Sequence, residues 1–98
     1  MTAIFKNPEQ AARFTEIGTT ERDLTDMLGG DYDVIPALAG AMVLCRAVDV
    51  DLPYNVHFLG RHYSGPILIV GRGEGNCPVN LPRNLQKILL MALGGGKK

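Results

Sequence analysis

Apolar positions along this chain change their period several times, and each change marks an element. The run Pro66-Ile67-Leu68-Ile69-Val70 is uniformly apolar and closed by Gly65 and Gly71. That pattern predicts a short strand buried on both faces. Thr2–Lys6 is a shorter apolar-leaning segment ahead of the turn-like Asn7-Pro8-Glu9. Residues 11–17 alternate loosely, with Ala12, Phe14 and Glu16 against Arg13, Thr15 and Ile17. Strand and helix both fit that spacing; Phe, Thr and Ile, with Gly18 closing the run, favour a strand of a hairpin.

A helix is predicted next. Thr20 can cap it, Glu21 and Asp23 sit favourably in its first turn, and Leu24, Met27 and Leu28 form one apolar face. Gly29-Gly30 ends it. So short a helix is unstable alone and must dock on a sheet. Residues 31–38 and 41–48 read as a second hairpin about an Ala39-Gly40 turn, with Tyr32, Val34 and Ile35 on one arm and Met42, Leu44 and Val48 on the other. Pro36 places the first arm at a sheet edge or ends it there. Residues 49–53 read as a connection, and residues 60–65 as a polar loop ahead of the buried strand. The last element is a helix capped by Asn80 or Leu81, with Pro82 in its first turn. Leu81, Leu85, Ile88, Leu89 and Ala92 are expected to face the sheet. Leu90, Met91 and Leu93 would then point partly away, and a helix apolar nearly all round calls for a second cover. A homodimer is the simplest one. The expected architecture is α+β: a mainly antiparallel sheet of four to six strands with two helices packed on it, as one domain over residues 1–93. Residues 94–98 read as a flexible tail.

Composition narrows the function classes more than it names one. The 98 residues are 46% apolar and 20% charged, ordinary globular values. Ten basic and ten acidic residues cancel, so no global field draws in nucleic acid or an anionic membrane, and neither is expected as a partner. The same neutrality argues against mimicry of DNA. Two cysteines, Cys45 and Cys77, are too few for a disulfide-stapled scaffold. With no signal peptide and no apolar run of spanning length, the cytoplasm is the expected compartment and both thiols are expected reduced.

Most of the versatile side chains flank the buried strand. Tyr54, Asn55, His57, Arg61, His62 and Tyr63 precede it, and Arg72, Glu74 and Asn76 follow it. Tyr faces and Arg forks suit a nucleotide or another phosphate-bearing small ligand. The candidate ligand-binding set is therefore Tyr54, Asn55, His57, Arg61, His62, Tyr63 and Arg72, weighed against an ordinary polar loop. Gly71, Gly73 and Gly75 invite a phosphate-loop reading, but the spacing departs from the dinucleotide fingerprint and Glu74 sits where phosphate would bind. A hairpin or connection fits better. Cys45, His57, His62 and Cys77 are four zinc-type ligands, without the closely spaced cysteine pair of a structural site. Ser64 beside His62 lacks the setting of a nucleophile, and Asp49 and Asp51 read as a solvated turn rather than an acid pair. No catalytic constellation, metal or cofactor is expected.

Three stretches in order carry a family resemblance. They are Leu28-Gly29-Gly30 before Tyr32-Asp33-Val34-Ile35; the hairpin from Leu38 to Cys45; and Leu52-Pro53-Tyr54-Asn55 followed by the Gly65 to Gly71 strand. Over residues 14–93 the chain resembles a small family of unknown function often encoded by phages, plasmids and gut bacteria (domain-of-unknown-function family 3846). The resemblance implies an α+β fold and a mobile-element setting, and it supplies no catalytic residue. Asn55 matches the family's turn asparagine, where a backbone-bonding role and a functional one are equally open. The segment from His57 to Tyr63, rich in His and Arg, departs from the family pattern.

The functional expectation is a non-enzymatic binding protein of a phage or mobile element, acting in counter-defence by sequestering a phosphate-bearing small ligand, and dimeric. The alternative is a protein–protein inhibitor or adaptor of a host protein, working through an exposed strand edge or the face of the last helix at Leu90, Met91 and Leu93.

Overall fold

A computed structural model describes residues 1–38, 40–46 and 51–93. The expected turn residue Ala39, the strand end at Ala47 and Val48, Asp49 and Val50 of the connection, and the expected tail over residues 94–98 lie outside them.

The chain is α+β, as the periodicities predict. Strands β1 (Thr2–Lys6), β2 (Arg13–Glu16), β3 (Tyr32–Pro36), β4 (Ala41–Arg46) and β7 (Ile67–Arg72) form an antiparallel sheet in the order β2-β1-β7-β4-β3. The two-residue β8 (Pro78–Val79) adds to the end of β7, making six strands. β7 is central, flanked by β1 and β4, and Ile67, Leu68, Ile69 and Val70 are fully buried. A strand covered on both faces has no polar side to alternate with, which is why its sequence is a continuous apolar run. Pro36 ends β3 on the outer edge, where its missing N–H costs no ladder bond.

Side-chain alternation sorts the core into two layers. On one face Ala3, Phe5, Met42, Leu44, Leu68 and Val70 pack beneath helix α1 (Glu21–Leu28) through Leu24 and Leu28. Thr20 caps α1, its Oγ1 accepting from the Asp23 N–H at 3.1 Å, and Gly29 closes it in the left-handed conformation at φ 89°. On the other face lie Ile4, Val43, Cys45, Ile67 and Ile69, covered by helix α2 (Arg83–Ala92) and by a separate hairpin of β5 (Tyr54–Phe58) and β6 (Arg61–Ser64).

That hairpin corrects the expectation of a polar loop over residues 60–65. Leu59 and Gly60 both take positive φ, 51° and 80°, the backbone of a tight two-residue turn whose twist suits paired strands. Val56, Phe58 and Tyr63 then become an apolar inner face that packs on the sheet.

Two expectations for α2 also change. Neither Asn80 nor Leu81 caps it: Pro82 occupies the N-cap, and Asn80 Oδ1 accepts from the Thr2 N–H at 2.8 Å. The core-facing stripe runs Leu81, Leu85, Leu89, Leu93 at successive i, i+4 steps, with Leu90 half-buried beside it. Leu93 thus belongs to the core rather than to an outer face, while Ile88 and Ala92, expected inward, are exposed.

Candidate functional site

The seven residues expected to hold a ligand separate into four places. Tyr54, His57 and His62 share the outer face of the β5–β6 hairpin. His57 stands directly opposite His62, their rings stacked with centroids 4.3 Å apart and planes 21° from parallel. Tyr54 extends the row, its ring centroid 5.7 Å from that of His62 and its Oη 3.0 Å from His62 Nδ1. Simple alternation would put Tyr54 on the inner face with Val56 and Phe58. A bulge between Tyr54 and Val56 inserts Asn55 as an extra residue and turns Tyr54 outward.

Asn55 points the other way and binds protein. Its Nδ2 donates to the carbonyls of Lys6 at 2.9 Å and Gly65 at 2.7 Å, and its Oδ1 accepts from Lys6 Nζ at 2.9 Å. Lys6 Nζ also donates to the Asn7 carbonyl. Lys6 is only 7% exposed, and burial lowers its pKa from the ordinary 10.5. Asn55 thus clamps the hairpin base against β1 and the entry to β7.

Tyr63 is buried in the core and cannot stack a base from solvent. Arg61 lies on the same inner side, its Cζ 5.9 Å from the centre of the Tyr63 ring. Both sit near Cys45. Burial raises the Cys45 thiol above its ordinary 9.0, Asp33 adds to the rise and Arg61 opposes it. Burial likewise raises the Tyr63 hydroxyl above 10.0, with Cys45 adding and Arg61 opposing. A thiol held protonated in an apolar layer is a core residue rather than a nucleophile.

Arg72 is at the opposite end of β7. Five steps of extended strand separate it from Ile67, about 17 Å at the usual rise. Its Nε donates to Asn76 Oδ1 at 2.9 Å within the short 3-10 turn over Glu74–Asn76, before β8 folds back on β7. The glycine-rich stretch is therefore the hairpin connection that its spacing favoured. Gly71 is required by close approach: a Cβ there would lie 2.1 Å from the Asn80 carbonyl oxygen. The four zinc-type residues disperse in the same way. Cys45 is in the core, Cys77 is exposed in the β7–β8 connection, and only His57 and His62 meet.

A different surface stands out on α2. Ile88 and Met91 are each 60% exposed. Three residues apart on a helix, they are neighbours on one outer face, next to the exposed Asn84 and Lys87. Of the three residues expected at an interface, Met91 alone is exposed. Helical register accounts for the pair once packing has fixed which stripe faces the core. A stripe centred on Leu89 takes in Leu85 and Leu93, and places Ile88 on its flank and Met91 opposite. Among the described residues no helix is long and apolar enough to cross a membrane. No family model, curated protein or solved structure matches the chain.

Proposed function

We propose that this chain is a non-enzymatic binding protein that engages a protein partner, as an inhibitor or adaptor, through the outer face of α2. The observation that supports this reading is the paired exposure of Ile88 and Met91. Single apolar residues on a surface are ordinary, whereas adjacent ones on a helix form the anchors of a helix-in-groove contact. The complementary partner surface is a shallow apolar groove with acidic groups along the side that meets Lys87. In the mobile-element setting that the resemblance implies, that partner is a host protein. Strand addition has less in its favour. The β2 edge carries the exposed Arg13 and Glu16, and the β3 edge ends on Pro36, features that discourage pairing. Sequestration of a phosphate-bearing small molecule also has less, since Arg72, Asn55 and Tyr63 stand apart from the open row of Tyr54, His57 and His62. Small-ligand sites are concave and bury most of the ligand.

The test pairs two measurements. Met91→Glu and Ile88→Glu are expected to abolish co-purification of the partner while His62→Gln leaves it intact. Thermal unfolding against a nucleotide panel is expected to stay flat, whereas a ligand at high saturation would shift it by several degrees. Partner capture that survives both α2 changes, or a nucleotide shift lost in His62→Gln, contradicts the proposal.

A further inference from the structure

We infer that His57 and His62 form a chelating pair for a borderline divalent transition-metal ion, of the Zn2+ or Ni2+ type, on the outer face of the β5–β6 hairpin. The inference is independent of the role proposed for α2. It begins with register: the two histidines are directly opposed across the hairpin, which brings their Cβ atoms to about 4.5–5.5 Å. The rings are already stacked at 4.3 Å and 21° from parallel. Two imidazole nitrogens at about 2.0–2.1 Å from one metal stand roughly 3 Å apart, and because the lone pairs lie in the ring planes each ring must tilt well out of the stack before they converge on one ion. Both side chains are exposed, and solvent gives them room for that tilt.

A second observation concerns orientation. Tyr54 Oη lies 3.0 Å from His62 Nδ1. Ligating histidines characteristically engage their second ring nitrogen in a hydrogen bond, which fixes both tautomer and ring direction. Here the metal selects the tautomer in which His62 Nδ1–H donates to the tyrosine oxygen and Nε2 presents its lone pair. The closest guanidinium in sequence, Arg61, is turned to the inner side over Tyr63 and leaves the outer face free of that cation. Imidazole donors favour zinc, nickel and copper over the hard ions magnesium and calcium. Among the described residues no group of three or more His, Cys, Asp and Glu is placed to hold a metal. The remaining coordination positions are therefore open to water or to a donor of a bound molecule, as in open zinc sites. Protons compete for the same nitrogens, so binding weakens on acidification.

Isothermal titration of tag-free, chelator-treated protein with NiCl2 and with ZnCl2 tests this. The expected result is one ion per chain. His57→Gln and His62→Gln each weaken binding by at least about tenfold, the low end of what even a supporting group around a metal is worth. Both variants should keep the metal-free melting temperature of the parent, and Cys77→Ser should bind as the parent does. Absence of saturable binding would overturn the inference. So would binding that survives the double change His57→Gln/His62→Gln, or binding that Cys77→Ser removes.

Discussion

Asn55 uses three hydrogen bonds to join three elements: one to the Lys6 carbonyl, one to the Gly65 carbonyl and one from Lys6 Nζ. Its replacement by alanine leaves two carbonyls and a buried ammonium short of a partner. Asn55→Ala should therefore cost about 2–3 kcal/mol, read by urea unfolding; unchanged stability would show that the clamp is dispensable. The two cysteines separate by burial. One thiol per chain, Cys77, should react with a disulfide reagent in the native state, and both in denaturant. The buried acids set an alkaline limit. Cys45 and Tyr63 ionise at higher pH folded than unfolded, so the unfolded chain loses those protons first. The contribution of Cys45 is intact below pH 9.0 and that of Tyr63 below pH 10.0, and each is lost as pH rises above that value. Lys6 acts in the opposite sense: its lowered pKa makes stability rise with pH in a window below 10.5. Urea midpoints taken below pH 9 and near pH 10 should fall less in Cys45→Ala than in the parent. Equal slopes would remove Cys45 from the alkaline limit.

Elements whose signals are local were legible in the chain. Thr20 and Gly29 bound α1 because a side-chain cap and a left-handed glycine are written in single residues. Ile67, Leu68, Ile69 and Val70 announced a strand covered on both sides. The β5–β6 hairpin was not legible, because a bulge at Asn55 breaks the alternation that identifies a strand and Leu59 takes a backbone conformation usually left to glycine or asparagine. The register of α2 was missed for a different reason. With Ile88, Leu89, Leu90, Met91 and Leu93 all apolar, several stripes fit, and only packing against Ile4, Val43 and Ile69 selects among them. Leu89→Ala should accordingly cost about 2–5 kcal/mol, and Met91→Ala should stay within about 0.5 kcal/mol, both by chemical denaturation. Equal costs would mean the helix is turned otherwise. Gly71→Ala should prevent β8 and the start of α2 from closing on β7, since the new methyl meets backbone at the Asn80 carbonyl rather than a yielding side chain.

Across the whole molecule, one sheet is covered on one face by α1 and on the other by α2 with a small hairpin. This arrangement explains why residues flanking one strand in sequence do not make one site. An extended strand carries its two ends apart, so Arg72 and Tyr54 share a neighbourhood in the sequence and not in space. Of the cluster expected from the sequence, Tyr54, His57 and His62 assemble; Asn55, Arg61, Tyr63 and Arg72 bond or pack elsewhere. Among the described residues, the large apolar side chains that the fold leaves exposed on α2 are Ile88 and Met91. The most direct measurement places a photo-crosslinking amino acid at position 91, with a control at the solvent-exposed Arg22 on α1, and irradiates cells making each form. The expected result is a discrete adduct from position 91 that disappears when Ile88→Glu is added, and none from position 22. Matching adducts from both positions, or none from position 91, would contradict a partner-binding role for this face.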